Sequence, residues 1–194
     1  KNKFLLSIRE VLTTGSRNVA IGAYALSAED THGHNVAIGR NALTAQNAGA
    51  DAYNVAVGSS AGEAISTGVR NILVGAGTGD ALTTGDYNTA VGHYALSTED
   101  THSGNTAIGY TALFTQDAGA DAFNTAVGFQ AGYATTTGTE NTLIGGLAGD
   151  ALTIGKHNVA VGYESLSSAD AGDFSVAIGH SALREQNGAS VLKA

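Results

Sequence analysis

The chain has 194 residues, 27 of them Gly, with no Cys, Met, Pro or Trp and a formal net charge of −8. Nine Lys plus Arg scattered along it supply no basic face, which argues against a nucleic-acid partner. Zero Cys removes a disulfide framework, and no apolar run reaches the length of a membrane span, so no membrane insertion is expected of this segment.

In chain order, residues 1–10 read as a lead-in. Phe4, Leu5 and Ile8, followed by Val11 and Leu12, have a helix-like spacing suited to a short cap. From residue 11 to the end the chain repeats itself. The unit opens at Asn18, Asn35, Asn54, Asn71, Asn88, Asn105, Asn124, Asn141 and Asn158, and a tenth time at Ser175. Most intervals are 17 residues, and the two that open at Asn35 and Asn105 are 19. Four units form a superrepeat of 70, giving 11–80, 81–150 and a partial 151–194. Leu12-Thr-Thr-Gly15 returns as Leu82-Thr-Thr-Gly85, and Gly49-Ala-Asp-Ala-Tyr53 as Gly119-Ala-Asp-Ala-Phe123. The tail from Asn187 resembles a coil broken off in mid-turn, so a piece of a longer chain is expected.

Within a unit, with the Asn position as zero, +1 is Val, Ile or Thr, and +3 is always Val or Ile. Position +2 is Ala, or Leu at Leu73 and Leu143. This alternation predicts a strand with one β-branched face and one small face. The small face invites a second backbone to press against it. A second short strand is predicted near +7 and +8, where Ala is followed by Leu or Gly in alternating pairs. Position +4 is Gly throughout: Gly22, Gly39, Gly58, Gly75, Gly92, Gly109, Gly128, Gly145, Gly162 and Gly179. Such a Gly column implies a turn with φ > 0 or a close backbone approach. The Asn column implies a hydrogen-bonded ladder, or residues that tolerate a left-handed turn. A 17-residue unit is too short for a strand–helix–strand crossover but suits one coil of a parallel β-solenoid. Ten coils at about 4.8 Å would stand roughly 48 Å tall. The fold expected is all-β.

Ser175-Val-Ala-Ile-Gly-His-Ser-Ala182 and Asn18-Val-Ala-Ile-Gly22 resemble the left-handed β-roll repeats of trimeric autotransporter adhesin heads. Asn105-Thr-Ala-Ile-Gly-Tyr-Thr-Ala-Leu113 is also similar to repeats of phage tail-fibre proteins. The resemblance implies a homotrimer of thin rolls, with the Ala and Gly faces toward the three-fold axis, on a virion fibre or a bacterial surface. The coils here are longer than those of the adhesin heads. The extra residues are expected to bulge within Ser27–His34, Thr44–Tyr53 and their copies.

Aromatic residues flank the motif. Tyr53, Phe123 and Phe174, with Asp51 and Asp121 beside the first two, are the candidates for contact with a host polysaccharide or protein receptor. The competing expectation, which the sequence favours, turns such aromatics inward to fill the roll or the trimer interface. His32-Gly-His34 has a metal-binding spacing, but its copy reads His102-Ser-Gly104. Asp30, Asp51, Asp100, Asp121 and Asp173 lie in Gly-containing loops without a calcium-loop pattern. The repeated Glu29-Asp30 and Glu99-Asp100 pairs do not read as an active site, which is normally unique. No metal, cofactor or enzymatic activity is assigned. An ice-binding or other small-ligand-binding solenoid is the alternative, weakened because Thr13-Thr14, Thr83-Thr84 and Thr135-Thr-Thr137 recur mainly once per superrepeat.

Overall fold

The computed structural model describes residues 15–28, 32–168 and 170–185. The cap expected at Phe4, Leu5, Ile8, Val11 and Leu12, and the tail from Asn187, lie outside the described residues.

Each unit forms one three-residue strand. These are β1 (Val19–Ile21), β2 (Val36–Ile38), β3 (Val55–Val57), β4 (Ile72–Val74), β5 (Thr89–Val91), β6 (Thr106–Ile108), β7 (Thr125–Val127), β8 (Thr142–Ile144), β9 (Val159–Val161) and β10 (Val176–Ile178). They pair in chain order into one parallel sheet. The register never slips: Ala20 faces Ala37, Ala37 faces Ala56 and Ala56 faces Leu73. The chain is an all-β parallel solenoid, as the repeat predicts.

The predicted second strand differs. Positions +6 to +10 run from coil to coil through hydrogen bonds such as Leu26 N to Ala42 O (2.9 Å) and Gly62 N to Thr78 O (3.0 Å). Yet they are turns, because +6 and +8 sit in the left-handed region, as at Tyr94 (φ 54°) and Leu96 (φ 53°). The residue before each Asn is left-handed too: Tyr53 at 55°, Phe123 at 51° and Phe174 at 55°. So the left-handed position lies one residue ahead of the Asn column and not in it. Each such residue costs about 1–2 kcal/mol, and the hydrogen bonds to the coils on either side hold it there. These corners return the chain to its own starting line once per coil.

The Asn column works otherwise. Each Asn Oδ1 accepts from the backbone N of the next member, as in Asn88 N to Asn71 Oδ1 (2.9 Å) and Asn105 N to Asn88 Oδ1 (2.9 Å). Nδ2 donates to a carbonyl fourteen residues on, as from Asn71 to Gly85 O (2.8 Å) and from Asn141 to Gly155 O (2.8 Å). One side chain thereby pins two points of the next coil. The ladder is mainly amide to backbone, with one amide-to-amide bond from Asn158 Nδ2 to Asn141 Oδ1 (3.1 Å). Asn35 and Asn105 open the two 19-residue coils, and their buried Nδ2 atoms have no partner. Fourteen residues on from them lie Gly49 and Gly119, in exposed stretches of the longer coils. The bulges fall inside one of the predicted stretches, at 47–51 and its copy 117–121, where nothing lies within 4 Å of a Cβ placed on Gly49 or Gly119.

The small face points into the roll. Ala37, Ala56, Ala90, Ala107, Ala126 and Ala160 are fully buried, as are Leu73 and Leu143 in the same column. This overturns the expectation that Ala and Gly face a three-fold axis. A coil this thin encloses so little space that its own opposite wall takes up the small face. Position +8 shows the same limit. Leu43, Leu96 and Leu113 fill their coils, whereas at Gly79 a Cβ would come within 2.9 Å of Leu73 Cδ2. Large and small residues therefore trade places across the wall. The +4 Gly column meets both of its expected reasons: φ lies between 125° and 147°, and at Gly109 a Cβ would overlap the carbonyl oxygen of Gly128.

Candidate binding surfaces

With +2 turned inward, +1 and +3 form the outer strand face, and the −1 and +5 positions flank it on either side. The +3 column is Val or Ile in every coil, and Ile108, Ile144 and Ile178 are exposed. At −1 stand Tyr53, Tyr87, Phe123, His157 and Phe174; at +5 stand His93, Tyr110, Phe129, Tyr163 and His180. Apart from Tyr24, Tyr94 and Ile154, every large exposed apolar side chain among the described residues lies in one of these four columns.

The stacking of coils stacks the rings. Tyr110 lies 5.4 Å from Phe129 at 10°, and His93 lies 5.8 Å from Tyr110 at 5°. On the −1 side, His34 stacks on Tyr53 at 4.6 Å and His157 on Phe174 at 4.7 Å. Arg70 spans the same rank, its guanidinium 5.3 Å from the Tyr87 ring centre. These rings do not fill the roll. An interior lined by Ala at 0% exposure leaves no room for them.

The candidate receptor contacts therefore divide in two. Tyr53, Phe123 and Phe174 are about half exposed, beside the outer strand face. Asp51 and Asp121 instead tie their bulges to the coil before: Asp51 Oδ1 accepts from Gly33 N (3.0 Å) and Asp121 Oδ1 from Ser103 N (3.1 Å). Asp51 also sits 3.5 Å from His34 Nε2. Loop closure is their evident work.

The +11 column turns inward and is filled by Gln46, Ile65, Leu82, Gln116, Thr135 and Leu152, all buried. The two Gln are paired. Gln46 Oε1 accepts from Asn54 Nδ2 (2.6 Å) and its Nε2 donates to Ser66 O (3.2 Å), and Gln116 repeats both bonds. Glu99 stands in this same column at 0% exposure. Its Oε1 lies 2.7 Å from His102 Nδ1 and accepts from His102 N at 3.2 Å, but its buried Oε2 has no partner. Burial holds the Glu99 carboxyl above the usual carboxylate range, against the opposing pull of His102, and the Asp117 charge pushes the same way as burial.

Asp100 and Asp117 are seventeen residues apart and so belong to consecutive coils of the +12 column. One ligand atom each from Glu99, Asp100, His102 and Asp117 lies within 4.8 Å of the others. The sequence reading passed over this group, because Asp117 is remote from the Glu-Asp-Thr-His run in the chain. The 17-residue spacing of Asp100 and Asp117 was the available signal. His32 and His34 stand outside this group. The carbonyl of His32 accepts from Asn18 Nδ2 (2.9 Å), while the His34 ring stacks outward on Tyr53.

Among the described residues, no helix is long and apolar enough to cross a membrane. No known protein family, curated protein or solved structure matches the chain.

Proposed function

We propose that the chain is a rigid structural and adhesive segment of a homotrimeric extracellular fibre, on a virion or a bacterial surface, that spaces or presents a receptor-binding region. The observation that carries this reading is the unbroken outward column of Val and Ile from Ile21 to Ile178. A continuous apolar strip of this kind is the usual mark of a protein interface. In a trimer the strand faces pack on one another. The −1 rank, with Tyr53, Phe123 and Phe174, stays toward solvent to meet a polysaccharide or protein on a host cell, where flat rings pack on apolar surface while polar edges hydrogen-bond.

The test is the solution mass of the 19.4 kDa chain by light scattering. A mass three times that of one chain is expected. The double variant Ile108→Lys/Ile144→Lys, at sites that are exposed in the single chain, is expected to give folded monomer. A monomeric wild-type chain overturns the assembly. Replacing Tyr53, Phe123 and Phe174 by Asn, which accepts a left-handed backbone, is expected to abolish host-cell binding at unchanged mass.

One further observation favours the alternative. Thr89, Thr106, Thr125 and Thr142 stand in register on the outer face over four coils, beside Val and Ile at +3. That rank is a short version of the flat, regular Thr array an ice-binding solenoid needs. Thermal hysteresis in the wild-type chain, lost in Thr106→Lys, would favour it over the fibre.

A further inference from the structure

We propose that Glu99, Asp100, His102 and Asp117 form a binding site for one divalent metal ion of the zinc class, clamping two consecutive coils. The argument begins with Glu99. Other described members of its column are apolar residues, a threonine or amides, and a carboxylate there has no burial advantage. Its environment nevertheless leaves Oε2 buried and unpartnered. A buried carboxyl oxygen in that state is disfavoured unless a cation takes it up.

The surroundings supply what a cation needs. Three carboxylates and one imidazole offer ligand atoms within 4.8 Å of each other. In the tetrahedral geometry that zinc prefers, bonds of about 2.0–2.2 Å place ligand atoms about 3.4 Å apart, so the widest pair must close by about 1.4 Å as the ion binds. The donor set selects the ion. Calcium takes six to eight oxygens, while imidazole with carboxylate suits zinc. The exposed positions of Asp100 and Asp117 leave a path for entry, and Glu99 closes the inner side.

Glu29-Asp30-Thr31-His32 repeats the run 70 residues earlier, but Asn47 stands where the second copy has Asp117. The proposal is confined to the second copy, and the first supplies its control. Asp117→Asn recreates a coil that the chain already contains, and Glu99→Gln places in the column a residue that Gln46 and Gln116 already exemplify.

The experiment is titration of the chelator-stripped full chain with ZnCl2 by calorimetry, alongside thermal melting with and without Zn2+. Wild type is expected to bind Zn2+ with an affinity at least tenfold above that of Asp117→Asn and of Glu99→Gln, and to melt higher with the ion present. Both variants, folded by circular dichroism, are expected to lose that rise. CaCl2 at the same concentration is expected to leave the wild-type melt unmoved. Zn2+ affinity unchanged in both variants would mean that other histidines bind it, and that overturns the site. A wild-type melt indifferent to Zn2+ overturns it equally.

Discussion

The Asn ladder makes a quantitative claim that its own irregularity tests. Asn71 holds two groups of the next coil, the Asn88 N–H at 2.9 Å and the Gly85 carbonyl at 2.8 Å. Asn71→Ala leaves both buried without partners, at about 1–3 kcal/mol each, or roughly 4 kcal/mol together. Asn105 holds only the Asn124 N–H, at a longer 3.2 Å, and its own Nδ2 is an unpaired buried donor. Asn105→Ala strands one group and removes another, so its net cost is about 0–1 kcal/mol. Asn141, the copy of Asn71 in the next superrepeat, donates to Gly155 O at 2.8 Å and accepts from Asn158 N at 2.9 Å. Asn141→Ala therefore costs about as much as Asn71→Ala. The predicted gap of about 3 kcal/mol corresponds to roughly 6–12 °C in Tm for a chain of this length. The assay is thermal melting together with guanidinium unfolding, all variants at one chain concentration because self-association would shift both. Equal losses at positions 71 and 105 would refute the reasoning. The Asn side chains would then stabilise by filling space rather than through these hydrogen bonds.

Gly109→Ala drives a Cβ into the Gly128 carbonyl at φ 143° and is expected to part the two neighbouring coils, read as protease cleavage or fast hydrogen exchange confined to that level. Leu73→Ala is expected to cost about 2–5 kcal/mol. The double variant Leu73→Ala/Gly79→Leu rebuilds the Ala-and-Leu filling of the next coil and is expected to recover most of it. A double-mutant cycle with no coupling would remove the idea that the two walls trade volume. Asp150 has a buried, unpartnered Oδ1, and burial, opposed by a hydrogen bond from Ser167, raises its carboxyl above the usual range. A raised native pKa means the folded state holds the proton more tightly, so this group favours folding at low pH and ceases to as pH rises through that pKa. Asp150→Asn is accordingly expected to be more stable than wild type at pH 7, with the gain fading as pH falls. Urea unfolding at pH 7 and pH 4 checks the sign.

The fold was legible because one residue type recurs at one spacing. Val, Ala and Ile around Ala37 and Ala107 state the strand, and the 17-residue interval states the coil. What pattern alone did not reveal was direction. Alternation divides Val36 and Ile38 from Ala37 without saying which set faces the interior, and the usual rule that bulk goes inside gives the wrong answer in a roll this thin. The left-handed corners were hidden for a related reason. Tyr53, Leu96 and Phe174 carry side chains that ordinarily avoid that region, and only the neighbouring coils hold them in it. The Glu99 group is hard to see in a linear reading because Asp117 arrives from the following coil, and only its 17-residue spacing from Asp100 points to it.

The two bulges stand four coils apart, at 47–51 and 117–121, on a scaffold that rises about 4.8 Å per coil. They therefore present two copies of one loop about 19 Å apart on the same side of a stiff rod, and a three-chain rod would present six. Weak individual contacts spaced in this way add as avidity, since each captured site holds the next at high local concentration. The spacing is set by how many coils lie between bulges. A chain built on this plan changes the distance between its bulges by copying or deleting coils, with no need to redesign the bulges themselves.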